Sequence, residues 1–428
     1  MTKLCYQSGC AAGSQVAGIS AESPSDYAWN VNLGNGNANR NNQDNRNHVR
    51  AVRSGECQGH FTLQGLHSAW RAARRGKKPS LDQLMFEGDV YGNLLGIQRR
   101  LNNCHWYPSA PFAFVTEKPK AREIHAPRFR DRVVHHLIVP ELERIFEPTF
   151  IHDSFSNRKT KGTHAAVARL RQFVREVYSG QGGGYYLQLD IRSFFNSIHR
   201  PTLWAILNKR MERAAVSNPL CQAVHALLTW PVQRTGVHWG CSEAERAAVP
   251  AHKRLENAAP DCGIAIGNLS SQFFANVYLD ALDQFVKHEL RAQRYVRYVD
   301  DFVLVHHDHG QLACWQSRIV DFLRTTLRLE LKSEQKLRPL RDGIDFLGYV
   351  AYPTHMVPRR RVISHCRAKL AAWEHQHCRR GRVIGDRRAR EHARAIWASY
   401  SGHFAHARSF KARYGIYRRF RWLAEVVA

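Results

Sequence analysis

The sequence predicts a mixed fold of amphipathic helices and antiparallel strand pairs, large enough for two or three domains. Three observations carry this. Long stretches such as "SQFFANVYLDALDQFVKHEL" (271 to 290) repeat apolar residues with a helical period. Runs rich in β-branched and aromatic residues come in pairs, as in "RYVRYVDDFVLVHHD" (294 to 308) and "GIDFLGYVAY" (343 to 352). The chain has 428 residues, 44% of them apolar, which is enough to bury a sizeable core.

In order along the chain, residues 1–60 stand apart. "AWNVNLGNGNANRNNQDNRNHVRAVR" (28 to 53) is rich in Asn and Gly, a composition that builds turns and offers little to a core. It suits a disordered linker. It also suits a short hairpin, because Trp29, Val31 and Leu33 alternate at one flank and Val49 and Val52 follow at the other. From residue 61 the pattern becomes regular. "LDQLMFEGDVYGNLLGIQRRLNN" (81 to 103) has helical periodicity, and "FAFVTEKPKAREIHAP" (112 to 127) reads as two short strands around a basic turn. "RVVHHLIVPELERIFEPTF" (132 to 150) and "GTHAAVARLRQFVREVY" (162 to 178) read as helices. "YYLQLDI" (185 to 191) reads as a buried strand after the flexible "SGQGGG". The tail, 359–428, holds 18 Lys and Arg against 4 Asp and Glu, with Trp373, Trp397, Tyr400, Tyr414, Tyr417 and Trp422 interleaved. That suits a helical bundle gripping a phosphate backbone, though any single Arg there serves equally as a solvated helix face.

Charge narrows the function classes. Sixty-three Lys and Arg oppose 36 Asp and Glu, a net of +27. An excess of that size points to a polyanionic partner, first of all nucleic acid. No run of 18 apolar residues suggests a membrane span, and "MTKLCYQSGC" lacks the layout of a secretory signal. A cytoplasmic protein with no membrane partner is expected. The ten cysteines form no CxxC pair and read as reduced thiols. Cys5, Cys10, Cys57 and His60 are poorly spaced for zinc.

The acids inside this basic chain are the informative exception. Asp190 ends the strand "YYLQLD", and Asp300 and Asp301 sit between two apolar runs, 110 residues further on. A lone Asp-Asp pair is commonly a solvated turn. Three carboxylates converging from a strand end and a hairpin tip repel one another unless cations neutralise them. Hard oxygen ligands select Mg²⁺ or Mn²⁺, and two such ions support nucleotidyl transfer.

On these residues the sequence resembles a reverse transcriptase, in order from about residue 61 to the C-terminus. "YVDD" (298 to 301) matches the family's Tyr-x-Asp-Asp motif and "LDIRSFF" (189 to 195) the motif with the other metal aspartate. The resemblance implies catalytic roles for Asp190, Asp300 and Asp301, with Ile191 joining them in the metal set, and two Mg²⁺ ions as cofactor, Mn²⁺ being an alternative. It places Phe195 where the family screens against a ribose 2′-hydroxyl, although Phe195 also reads as a core aromatic, as Phe194 does. "GIAIGNLSSQFFANVYL" (263 to 279) puts Gly267 and Gln272 at the template and nucleotide pocket. "KPKAREIHAPRFRDRVVHH" puts Lys120 and Arg122 on the triphosphate, with Lys118 nearby on the nucleic acid; "SFSNRKTKGTHAA" contributes Arg158, Lys161 and Gly162 to nucleic-acid binding. Lys336 is the late-palm lysine beside the triphosphate, "GIDFLGY" the primer grip, and Arg359, Arg360 and Arg361 open a nucleic-acid-binding tail.

The fold so implied is α+β: a right-hand polymerase with fingers and the start of the palm over 61–180, an antiparallel-sheet palm over 181–358, an insertion at 236–262, and a small basic helical thumb over 359–428. No RNase H domain is expected. Within the family the sequence is most similar to enzymes of diversity-generating retroelements, whose I-G-N-L-[ST]-S-Q signature stands at Ile266 to Gln272. That implies template RNA, dNTPs and a cDNA product as partners, and a small basic accessory protein. The N-terminal extension resembles the end of a lectin-like domain. Stand-alone antiviral reverse transcriptases, which copy a dedicated non-coding RNA, share this branch and are the alternative. A non-catalytic RNA-binding protein on the same fold is the remote one, opposed by the intact acids.

Overall fold

Short polar caps punctuate the first helices. The computed structural model describes residues 59 to 428, except 118–119, 231–235, 381 and 428, together with the backbone of three strands nearer the N-terminus. Those strands, β1 (Val16–Ile19), β2 (Tyr27–Asn32) and β3 (Ala38–Asn42), pair antiparallel in that order. β3 lies inside the Asn-rich run itself, whereas Val49, Val52 and the cysteines at 5, 10 and 57 lie outside the described residues. Helices α1 (Leu63–Arg74), α2 (Leu81–Glu87) and α3 (Val90–Asn102) are capped by Thr62, Ser80 and Asp89, each accepting from a backbone N–H in the first turn. The stretch 81–103 is therefore two helices: Gly88 ends one and Asp89 caps the next, so its apolar periodicity continues across a break.

The chain continues through β4 (Phe112–Thr116), β5 (Arg122–Ala126), α4 (Phe129–Phe146), α5 (Thr163–Gln181) and β6 (Tyr185–Asp190). Next come the single turn α6 (Phe194–Ser197), α7 (Arg200–Arg213), α8 (Asn218–Thr229), β7 (His238–Trp239), α9 (Glu243–Ala247) and α10 (Leu269–Gln284). Then follow β8 (Tyr295–Tyr298), β9 (Asp301–His306), α11 (His309–Thr326), β10 (Lys336–Pro339), β11 (Ile344–Phe346), β12 (Tyr349–Ala351) and β13 (Met356–Pro358). The tail forms α12 (Arg360–His377), the strand pair β14 (Cys378–Arg379) and β15 (Arg382–Val383), α13 (Arg387–Ala405), α14 (Phe410–Arg419) and α15 (Trp422–Val427).

Two compact units result, one of residues 1–149 and 193–278, the other of 150–192 and 279–428. The chain crosses between them three times, after residues 149, 192 and 278. In the first unit β4 pairs antiparallel with β5 and parallel with β7. The segment 236–262, which sequence reading left without a role, thus extends the β4–β5 hairpin. Trp239 is covered by the Arg246 guanidinium at 3.9 Å, and the backbone N–H of Leu255 donates to the buried Glu123 carboxylate at 2.9 Å.

The second unit is built on a four-stranded antiparallel sheet in the order β10-β6-β9-β8. Along β6 and β9 the alternate residues Tyr186, Val303 and Val305 face α5, where Ala166, Leu170 and Val174 complete the core with Phe346 and Tyr349 of the small β11-β12-β13 sheet. The opposite face is covered as well, since Leu187, Leu189, Phe302 and Leu304 are fully buried, so β6 and β9 are apolar on both faces. The tail has its own core around Trp373, Trp397, Phe404 and Trp422. Its three tryptophans are core residues, so the interleaving seen in the sequence reflects packing. The exposed aromatic pair of the tail is Phe410 and Tyr414, stacked at 6.2 Å.

Candidate active site

Strand register brings the acids together. Asp190, the last residue of β6, is the cross-strand partner of Asp301, the first of β9, and Asp301 also faces Tyr298 at the end of β8. Asp300 lies in the intervening turn, where its carbonyl accepts from the Ile191 N–H at 3.3 Å. Ile191 itself is fully buried. Val299 in the same turn has φ +56°, an unfavourable region for a β-branched residue. The buried Arg297 holds the turn in that shape: its Nη1 donates to the Val299 carbonyl at 3.1 Å.

The three carboxylates feel one another. Burial first, and then repulsion from Asp190 and Asp300, pushes the Asp301 carboxyl up to about 7, against the opposing pull of a Gln188 hydrogen bond and of Lys336. The Asp190 Oδ1 is buried and has no hydrogen-bond partner. Its Oδ2 accepts from Lys332 Nζ, and Lys332 N–H donates to the Asp190 carbonyl at 2.9 Å. A lysine ammonium therefore neutralises one oxygen of Asp190 while the other stays unpartnered. Among the described residues, no three acidic, His or Cys side chains close on one point as they stand. An orphaned carboxylate oxygen, a carboxyl driven towards neutrality by like charges and an all-oxygen donor set nevertheless fit a hard divalent cation.

Two residues of this site escaped sequence reading. Gln188 Nε2 donates to Asp301 Oδ1 at 3.1 Å and to the Asp345 carbonyl at 3.0 Å. Its signal was parity, two residues before Asp190 on one strand face. Lys332 had none, since the contact spans 142 positions. Lys336, the lysine expected here, pairs in β10 with Gln188 of β6 and acts on Asp301 through its field.

The remaining expected residues have defined places. In the second unit, Arg158 donates to the carbonyls of Ile151 and Ser154 at 2.6 and 2.9 Å, and Lys161 to that of His152 at 2.8 Å, so both brace the 150–155 loop. Gly162, with φ +145°, is the N-cap of α5. Arg359 pairs with Asp345 at 2.9 Å, while Arg360 and Arg361 are exposed in the first turn of α12. In the first unit, Lys120 and Arg122 are exposed beside the β4–β5 turn, and Lys118 lies outside the described residues. Phe195 is half-buried against the buried Phe194, and its carbonyl accepts from Ile264 N–H at 2.9 Å. Gln272 is exposed on α10. Gly267 has φ +124°, and a Cβ there would lie 2.9 Å from the His125 carbonyl. Its close approach is to the backbone of β5, cemented by a 2.7 Å bond from His125 N–H to the Ile266 carbonyl.

Comparison with known proteins adds the family. The sequence model described as reverse transcriptase (RNA-dependent DNA polymerase) matches residues 115–351, more than half of the chain. Protein YkfC of Escherichia coli is 23% identical, over 54% of this chain and 63% of its own length. The group II intron-encoded protein LtrA of Lactococcus lactis is 22% identical, over 54% of this chain and 44% of its own. The chain thus spans about half the length of these curated relatives. Among solved structures, telomerase from Candida albicans in complex with a telomeric RNA fragment aligns with TM-score 0.41 at 12% identity, covering 69% of this chain and 55% of that one. Apo telomerase from Candida tropicalis aligns with TM-score 0.44 at 9% identity, covering 58% and 55%.

Proposed function

The chain belongs to the reverse transcriptase (RNA-dependent DNA polymerase) family, and from that premise we propose that it synthesises cDNA on a cognate RNA template by metal-assisted nucleotidyl transfer. The observation that carries this is the cross-strand pairing of Asp190 with Asp301, with Asp300 in the adjoining turn. Asp190, Asp300 and Asp301 would hold the Mg²⁺ ions, or Mn²⁺ in their place. When bound, these ions would lower the pKa of a primer 3′-hydroxyl and offset charge on the leaving pyrophosphate.

The chain's own residues do the rest. Gln188 fixes one Asp301 oxygen so that the other is left for the ligand. Lys332 neutralises Asp190 until a cation replaces it. Lys120 and Arg122, exposed cations beside a hairpin turn, suit the triphosphate. Phe195 suits the sugar check by bulk. Gly267 sets the spacing of the Ile266–Gln272 segment against β5, on which Gln272 follows. Arg158, Lys161 and Gly162 support nucleic acid by shaping the 150–155 loop and the start of α5.

Incorporation of dNTPs on an RNA template with a DNA primer tests the reading. Asp301→Ala should lose on the order of a thousandfold in rate with either metal, since the carboxylate set works as a unit. An Asp301→Ala protein as active as wild type would end the proposal.

The finer reading is a diversity-generating retroelement enzyme, supported by the Ile266–Gln272 signature and working with a small accessory protein. Sequencing RNA and cDNA that co-purify from the native locus tests it. A cDNA of a nearby template with errors opposite adenine is expected. A faithful or repetitive product of a separate non-coding RNA would point to antiviral defence instead.

A further inference from the structure

The second unit carries a concave site that this reading does not use. It is a cavity of about 470 Å³ along α5, closed by Tyr349 and Met356 of the small sheet and by His406 after α13. Its size lies within the usual range for small-molecule sites, roughly 300–1,000 Å³. Arg171 and Arg175 line it, one turn apart on α5 and therefore on one helix face. Among the described residues neither makes a hydrogen bond or ion pair, and the Arg171 Nε is buried with no partner. A guanidinium nitrogen left so is costly unless a ligand completes it. The other polar residues of this face are already engaged. Gln172 donates to Glu176 at 3.0 Å and accepts from Arg169, and Arg294 lies 3.3 Å from the Glu176 carboxylate.

At the α5 start two exposed imidazoles, His164 and His406, stack with centroids 3.8 Å apart. A second stack supports them: Tyr349 lies on His403 at 4.1 Å, donates to the His403 carbonyl at 2.9 Å, and has its hydroxyl 3.2 Å from His164 Nδ1. Burial first, and then neighbouring imidazoles, hold His164 below the ordinary histidine range. The three histidines are not arranged to hold a metal.

Stacked rings at one end of an apolar-floored cavity and two unpaired guanidiniums further along are the two halves of nucleotide recognition. We infer that this cavity binds one unpaired nucleotide of a nucleic-acid strand away from the carboxylates, its base against the His164–His406 stack and its phosphate on Arg171 and Arg175. Unpaired bases are commonly read by stacking on aromatic or imidazole planes while cations hold the backbone. The place suits a strand in transit, because Thr163, next to His164, contacts the Tyr298 hydroxyl of the catalytic hairpin at 3.3 Å.

The test uses the full chain and two fluorescent single strands of one sequence, an RNA carrying thiouridine and a DNA carrying thiothymidine. Photocrosslinks to wild type are expected in peptides covering 163–176 and 403–408. The RNA arm identifies a template or guide strand and the DNA arm the product strand. Arg171→Gln/Arg175→Gln should weaken binding about tenfold and lower the log–log salt slope by about one. His406→Ala should weaken it about tenfold without changing that slope. Incorporation on a short pre-annealed template-primer should be unchanged in both variants, so failure of the cavity and failure of the polymerase reading are read separately. Crosslinks confined to other peptides with both strands, or unaltered affinity in both variants, would overturn the inference.

Discussion

The hairpin that presents Asp300 and Asp301 rests on a buried ion pair, and breaking that pair is the most demanding test of how the site is held. Arg297 and Asp283 are 1% and 0% exposed. Arg297 Nε lies 2.7 Å from Asp283 Oδ1, Nη2 bonds to Oδ2 and also to Ser154 Oγ at 3.1 Å, and the Tyr295 hydroxyl donates to Asp283 at 2.7 Å. Burial alone would lower the Arg297 pKa, but Asp283 holds it above the ordinary arginine value. Asp283→Leu leaves a guanidinium in the core without its bonded counter-charge, and Arg297→Met leaves a carboxylate. Each should cost about 3–5 kcal/mol, a large share of the roughly 5–15 kcal/mol that holds a domain together. Asp283→Leu/Arg297→Met removes both charges and leaves neutral groups, among them Ser154 Oγ, Tyr295 Oη and the Val299 carbonyl, at about 1 kcal/mol each. The double variant should therefore lose only about 3 kcal/mol, less than either single loss doubled, and the coupling should be about 3 kcal/mol or more. Urea unfolding of the four proteins measures it, with hydrogen exchange of β8 and β9 reporting the second unit by itself. The double variant should fold yet incorporate dNTPs at least tenfold more slowly, because the Arg297 bond to the Val299 carbonyl, which holds Val299 at φ +56°, is lost. Coupling within about 0.5 kcal/mol of zero would refute the buried-pair argument. Full activity in the double variant would refute the turn-holding role.

Three further outcomes follow from the same structure. The Asp301 carboxyl, near 7 when folded and near 4 when unfolded, binds its proton more tightly in the folded state, so stability should fall as pH rises from about 4 to 7. Without divalent metal, Asp301→Asn should raise Tm at pH 8 by the equivalent of about 1–2 kcal/mol, half or less of the full shift because the residue is only partly screened from water, and change nothing at pH 4; equal Tm values at pH 8 would contradict this. Gly267→Ala forces a side chain to φ +124° against the His125 carbonyl and should cost about 2–4 kcal/mol, read as faster hydrogen exchange at residues 122–126. Gln188→Ala removes the hydrogen bond that holds the Asp301 pKa down, so in metal-free protein the fall of stability with rising pH should extend to higher pH, with a stability loss of about 1–2 kcal/mol at pH 8 read by urea unfolding.

Much of this chain could be read along its length, because the signals are local. Paired runs of β-branched and aromatic residues mark β6, β8 and β9, helical period marks α4, α5 and α10, and the excess of Lys and Arg suits a polyanionic partner. The acids at strand ends were legible because charge in an apolar context has few explanations. Residues whose meaning depends on distant partners were not legible. Lys332 reaches Asp190 from far along the chain, and Arg297 meets Asp283 from another element. The tail tryptophans, read from the sequence with the phosphate-gripping pattern, are assigned to the core only by packing. Sequence alone determined the net charge, the strand ends that carry the acids and many of the helix and strand segments, since each follows from covalent neighbours and periodicity. Tertiary structure alone decided that Asp190 faces Asp301, that Gln188 and Lys332 bond to them, that residues 236–262 extend the β4–β5 hairpin, and that two arginines of α5 stand beside a histidine stack with no hydrogen bond or ion pair among the described residues. Those facts are set by strand register and helix packing, which no single segment encodes.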